Sequence, residues 1–226
     1  MHNLTTRICV ISDTHNKFNQ LKDLPVADII IHCGDLTSMG HAHELRNFIK
    51  WYDSLVQYDH KIFIAGNHDW GFETYGLESR SLVPKNITYL EDSGIEIYGL
   101  KFYGSPVSKH FCEWAFNRDP EVLQKHWAAI PEDTDVLITH TMPYQTLDYV
   151  PYKASYEGCP YLRQEVFHRI NPLVHVGGHM HEGYGVKVIN DITFINASVL
   201  NGNYELTNKP ILIEIDENKK VTILDY

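Results

Sequence analysis

Five short apolar runs, each broken off by glycine or polar residues, constrain this chain more than any other feature. Arg7 to Ser12, Asp28 to Cys33, Lys61 to Ala65, Asp135 to Thr139 and Leu173 to Val176 are apolar at consecutive positions and rich in β-branched residues. A strand turns alternate side chains to opposite faces, so uninterrupted runs of this length predict strands buried on both faces of a layered α/β core. Helical spacing occurs between them. His41 to Tyr52 places Leu45, Phe48, Ile49 and Tyr52 on one face after Gly40; Asp119-Pro120-Glu121 opens a helix that stops at Pro131; Tyr161 to Ile170 ends at Asn171-Pro172. Later, Tyr184 to Ile189, Ile192 to Asn196, Pro210 to Ile215 and Val221 to Leu224 read as strands joined by turns, as does Ile95 to Tyr103 in the middle. This order predicts a mixed α/β (α+β) architecture of two packed sheets with helices on their outer faces.

Nothing rich enough in Gly, Ser or Pro divides the chain and no segment repeats. With 226 residues it lies below the roughly 250–300 at which single cores stop growing, so residues 1–226 are expected to form one domain. Lys+Arg 19 against Asp+Glu 29 gives a formal charge of −10, which repels a long nucleic acid and makes nonspecific polynucleotide binding a poor expectation. The four cysteines have no CxxC spacing, and Cys9 and Cys33 lie inside apolar runs, as reduced thiols do. No ~20-residue apolar span or signal-peptide core is present, so a cytoplasmic protein without a membrane partner is expected. Asn3, Asn86 and Asn196 begin glycosylation-like triplets, a pattern too frequent by chance to weigh here.

The 14 histidines are numerous, and several fall where the apolar runs end. The first run ends in Ser12-Asp13-Thr14-His15, the second in Gly34-Asp35, the third in Gly66-Asn67-His68-Asp69, the fourth in His140 and the fifth in Gly177-Gly178-His179-Met180-His181. Ligands of open sheets bind outside the carboxyl ends of strands, so five such ends converging on one crevice would gather these side chains. One D-x-H or H-x-H alone carries little; five in register with five strand ends carry much more.

Taken in order, Asp13-x-His15, Gly34-Asp35, Gly66-Asn67-His68-Asp69, His140 and Gly178-His179-x-His181 resemble the calcineurin-like metallophosphoesterase superfamily. The phrases Tyr103-Gly104-Ser105-Pro106, Ile130-Pro131-Glu132, Gly158-Cys159, His181-Glu182-Gly183-Tyr184-Gly185 and Ile195-Asn196-Ala197-Ser198 are similar to its metallophosphoesterase-domain-containing branch, which is linked to cyclic-nucleotide phosphodiester hydrolysis. Gly34-Asp35 continues as Leu36-Thr37-Ser38, not as the V-D-R-G of Ser/Thr protein phosphatases, so that branch's phosphate-gripping Arg has no counterpart. Some members of the closer branch carry a small residue at the place of His179; this chain keeps the full set.

The resemblance implies a four-layer αββα sandwich of two mixed sheets and a dinuclear-metal phosphodiesterase. Asp13, His15, Asp35 and His181 would hold one divalent ion and Asp35, Asn67, His140 and His179 the other, with Asp35 bridging. Four imidazoles, two carboxylates and an amide oxygen suit Mn, Fe or Zn better than Mg or Ca. Two such ions leave net positive charge facing the crevice, which attracts an anionic ester to an acidic protein. The family mechanism is in-line attack by a metal-bridging hydroxide, with His68 stabilising phosphate and protonating the leaving oxygen and Asp69 orienting the His68 ring. Asn67 and His68 would also contact substrate. The stretch 142–152, rich in tyrosine, offers Tyr149 as a ring for a nucleobase, or else packs the loop against the sheet. His32 and His175 are expected as core histidines, and His2, His41, His43, His60, His110, His126 and His168 as solvated ones. The leading expectation is hydrolysis of small phosphodiesters, cyclic nucleotides favoured. The alternatives are a nuclease or phosphomonoesterase using the same metals, and a non-enzymatic protein-binding scaffold.

Overall fold

The computed structural model describes residues 5–22 and 24–225; His2 and Asn3 of the sequence reading lie outside them. Two six-stranded sheets form the body. The first has the order Val221–Leu224, Ile211–Asp216, Thr5–Ile11, Ile29–Cys33, His60–Ile64, Ile87–Tyr89; the second Gly185–Ile189, Ile192–Asn196, Val174–Gly177, Val136–Thr139, Leu100–Ser105, Ser93–Ile97. Both are mixed. Thr5–Ile11 pairs in parallel with Ile29–Cys33 and antiparallel with Ile211–Asp216, and Val136–Thr139 lies parallel to both of its neighbours.

Alternation along the first strand shows how consecutive apolar residues serve two layers. Ile8 and Val10 face the second sheet and pack with Ile62, Phe102, Val136, Ile138, Val174 and Ile195, whereas Cys9 and Ile11 face outward toward Leu45, Phe48 and Tyr52. Those three come from the helix Ala42–Asp53, which starts where the Glu44 carboxylate accepts the His41 backbone N–H at 2.8 Å. On the far side, Leu123 and Trp127 of the helix Pro120–Ala128 and Leu162 of Pro160–Glu165 cover Leu137 and Phe194. Helix, sheet, sheet and helix thus stack in four layers, as expected. No helix among the described residues is long and apolar enough to cross a membrane.

Ile95 to Tyr103 is not one strand. Tyr98 (φ 54°) and Gly99 (φ 75°) turn the chain between Ser93–Ile97 and Leu100–Ser105, which pair antiparallel; two consecutive left-handed residues match the natural twist of a hairpin. The helix expected from Tyr161 begins at Pro160 and passes at Val166 into a π-helical turn ended by Asn171 at φ 47°.

His175 is fully buried as expected, its Nε2 2.8 Å from Thr139 Oγ1, and burial pulls its pKa down to about 3. Between pH 6.5 and 3 the unfolded chain therefore takes up a proton that the native ring refuses. Stability is lost as pH falls through that window, by about 1.4 kcal/mol per pH unit from this group. Urea unfolding of His175→Gln at pH 7 and pH 5 should show a shallower loss than the parent; equal losses would show that His175 is not the acid-sensitive group.

Candidate metal centre

The carboxyl ends of three strands in the first sheet and two in the second open on one side, where a bridge from Ser12 to Ser198 links the sheets. Asp13, Asp35 and Asn67 arrive from the first sheet, and His140, His179 and His181 from the second. Asp13, His15, Asp35 and His179 all have φ between 40° and 69°, the left-handed region that non-glycine residues avoid. Such strain persists only where surrounding structure enforces it, and here it gathers in one place. Close backbone approach does part of the enforcing: a Cβ on Gly178 would lie 2.1 Å from Asp13 Oδ2, and one on Gly66 would lie 2.3 Å from Asp35 Oδ1.

Ligand atoms of Asp13, His15 and His181, of His15, Asp35 and His68, and of Asp35, His140 and His179 each lie within 4.8 Å of one another. Asp35 Oδ2 stands 3.5 Å from His15 Nε2 and 3.4 Å from His140 Nε2. Asp13 Oδ1 lies 3.5 Å from His181 Nε2, and its two oxygens also accept the His179 backbone N–H at 3.1 and 3.0 Å. Asn67 Oδ1 is 2.9 Å from His140 Nε2. Every residue expected in the metal set is thus brought into one cluster.

The donors fit cations. His140 Nδ1 faces the Cys33 carbonyl at 2.9 Å and His181 Nδ1 the Asn201 carbonyl at 3.2 Å, so both rings donate there and turn the lone pair of Nε2 toward the carboxylates. Nε2 of His140 then confronts Asn67 Oδ1 and Asp35 Oδ2, acceptors that only positive charge reconciles. His15 Nε2 is buried with no hydrogen-bond partner. Burial lowers the His15 pKa to about 4 and that of His179 to about 3, which keeps both as neutral rings able to ligate. Burial also favours neutral His140, but Asp35 and Asp13 outweigh it and push its pKa up to about 9. Conversely, burial works against the charged carboxylates, yet His181 holds Asp13 and His140 holds Asp35 well below the usual range. The cluster stabilises positive charge at its centre.

His68 stands beside this set. Its backbone N–H donates to Asp35 Oδ1 at 2.8 Å, its Nδ1 meets the Ser38 carbonyl at 2.8 Å, and its ring stacks on Trp114 with centroids 4.1 Å apart. The role expected for Asp69 is corrected. Its carboxylate accepts Leu36 N, Gly66 N, Thr37 N and Thr37 Oγ1 at 3.1, 2.8, 3.0 and 2.7 Å, and a backbone carbonyl orients the His68 ring. Adjacent residues on a turn point apart, so Asp69 locks the Asp35 loop to the Asn67 loop.

A cavity of about 320 Å³ opens over the cluster, lined among others by Asp35, Asn67, His68, His179 and His181 and by the rings of Phe111, Trp114, Tyr152 and Tyr204. Tyr149, the expected substrate contact, is not on this wall. It pairs in register with Tyr156 and their rings meet at 5.2 Å, while Val150, the next residue on the opposite face of the strand, lines the cavity. Tyr204, unmarked in the sequence, has its ring 5.1 Å from that of His15 and 4.8 Å from that of His181.

The other histidines follow expectation in part: His32 is buried in the core, and His41, His43 and His110 are exposed. His32 Nε2 is 2.9 Å from Thr14 Oγ1, between two of the cluster's residues, as well as packing on Phe48. His126 is not simply solvated: Ser105 Oγ and Asp92 both meet its Nε2, at 2.9 and 3.2 Å. One nitrogen serving both makes no relay. His110 pairs with Asp119 at 2.9 Å, and His60 packs on Tyr98. The exposed rings of His41 and His43 stack at 5.8 Å, because His41 precedes the first helical turn.

Comparison with known proteins agrees with the class that this fold and site define. The calcineurin-like phosphoesterase family model matches residues 6–183. Metallophosphoesterase domain-containing protein 1 of Homo sapiens is 38% identical over 93% of this chain and 71% of its own length, and a UPF0046 protein of Caenorhabditis elegans is 34% identical over 92% and 60%. A crystal structure only 16% identical superposes with TM-score 0.66 over 98% of this chain and 99% of that chain. Haemophilus influenzae NAD nucleotidase does so at 0.50 over 98% and 49%, with 14% identity, a likeness of fold alone. The chain belongs to the calcineurin-like phosphoesterase family. It is a hydrolase of phosphoesters that depends on divalent metal.

Proposed function

We propose that the chain, as one domain, hydrolyses small phosphodiesters, with cyclic nucleotides as the favoured class. Asp13, His15, Asp35 and His181 hold one divalent cation, and Asp35, Asn67, His140 and His179 hold the second. The carrying observation is Asp35 Oδ2, placed almost equally far from His15 and His140, as a carboxylate shared by two sites would be. Bound divalent cations supply Lewis acidity toward phosphoryl oxygens and lower the pKa of water.

The chain's own residues do the rest. His68, turned by the Ser38 carbonyl and Trp114, keeps Nε2 for the leaving oxygen and, when the ring carries protons on both nitrogens, gives that oxygen the Nε2 proton and is left neutral. Asn67 shares the cavity wall with His68 and contacts the phosphoryl group. The cavity is far roomier than a lone phosphate requires, and its aromatic faces suit a nucleoside.

One preparation, stripped with chelator and restored with Mn, should be assayed against 2′,3′- and 3′,5′-cyclic nucleotides, mononucleotides and a labelled oligonucleotide. The expected result is fastest turnover of a cyclic nucleotide. Faster cleavage of the oligonucleotide or a mononucleotide would make the protein a nuclease or phosphomonoesterase. No turnover and no retained metal would make it a scaffold.

A further inference from the structure

Lys109 ends the short strand Ser108–Lys109 and Lys153 ends the 3-10 turn Pro151–Lys153, yet both line the cavity over the metal cluster. A single carboxylate stands between them. Glu157 Oε2 lies 3.5 Å from Lys109 Nζ and 3.6 Å from Lys153 Nζ, while Oε1 accepts the Ser155 hydroxyl at 2.6 Å. Both ammonium distances exceed the ~2.7–2.9 Å of a formed charge-assisted hydrogen bond, so neither lysine is saturated. Among the described residues neither pairs with Glu182, the other carboxylate on the wall outside the metal cluster.

Stability does not account for this arrangement. The Lys109 and Lys153 side chains are 32% and 44% exposed, and ion pairs so open to solvent add little to stability. Bringing two ammonium groups to one carboxylate leaves the Lys109–Glu157–Lys153 group with a net positive charge, in a protein of charge −10. Glu157, with one oxygen fixed by Ser155, holds the two side chains in place without neutralising them. Such a pair is suited to receive an anion at some remove from the phosphoryl group held at the metals.

We infer that Lys109 and Lys153 are specificity residues for a phosphoester whose alcohol portion carries a second anionic group, such as a nucleotide with a further phosphate. The inference rests on the phosphodiesterase reading for its direction but has its own readout. Equilibrium binding of adenosine 5′-monophosphate and adenosine 3′,5′-bisphosphate to the Mn-loaded full chain should show the bisphosphate at least tenfold tighter. Lys109→Met/Lys153→Met should bring the two affinities to within about twofold, and Lys109→Arg/Lys153→Arg should keep the preference. So should Lys187→Met, an exposed control on the Gly185–Ile189 strand. The kcat/KM ratio of 5′-phosphorylated to plain 2′,3′-cyclic adenosine phosphate should follow the same pattern. A wild type without the binding preference, or a Met pair that retains it, overturns the inference. An intact preference without turnover of either cyclic substrate counts against the phosphodiesterase reading alone.

Discussion

The Asp35→Asn variant is expected to lose both metals together and, with them, activity by more than about 10²-fold, the upper end of what removing an outer partner of a metal ligand costs. Asp35 Oδ2 faces His15 on one side and His140 on the other, so removing its charge weakens both groups at once. An amide of the same shape can still accept the His68 backbone N–H through its oxygen, which preserves the loop. Metal analysis beside activity separates the outcomes. Loss of one equivalent with the other intact would mean that Asp35 serves a single site.

His68→Ala should behave differently. The proposed metal set does not include its side chain, so metal content should stay at the parent level while turnover of substrates with alkoxide leaving groups drops by about 10²–10⁴-fold. Nitrophenyl esters, whose leaving group departs without a proton, should lose much less. Equal losses on both substrate types would remove His68 from the acid role and leave it as a phosphate contact. Asp69→Asn, by contrast, should act through structure: two of its four acceptor contacts would be replaced by an amide nitrogen facing N–H or O–H donors, loosening the join between the Asp35 and Asn67 loops and lowering stability without changing leaving-group dependence.

What was legible in the sequence followed from strong local physics. Strands such as Ile29–Cys33 announce themselves because burial on both faces demands consecutive apolar residues, and the chemistry sits at their carboxyl ends because a parallel sheet opens there. The hairpin at Tyr98-Gly99 was hidden because a tyrosine in the left-handed region carries no strong turn signal, leaving Gly99 as the one clue. Ile87–Tyr89, a three-residue strand, is shorter than any periodicity can register. Asp69 misled because adjacency in sequence suggests adjacency of side chains, whereas the turn sends its carboxylate back to Leu36 and Thr37. Tyr149 misled through parity, since a strand shows a cavity only every second residue. Tyr204, Lys109 and Lys153 come from segments with no motif, brought to the cavity by tertiary packing alone.

The central claim is that one cluster binds two divalent ions. Anomalous diffraction from crystals grown with manganese tests it most directly: two peaks are predicted, one within the coordination shell of Asp13, His15 and His181, the other within that of Asn67, His140 and His179, with Asp35 touching both. A single peak, or manganese bound elsewhere while the cluster's rings face one another with none between them, would contradict the account.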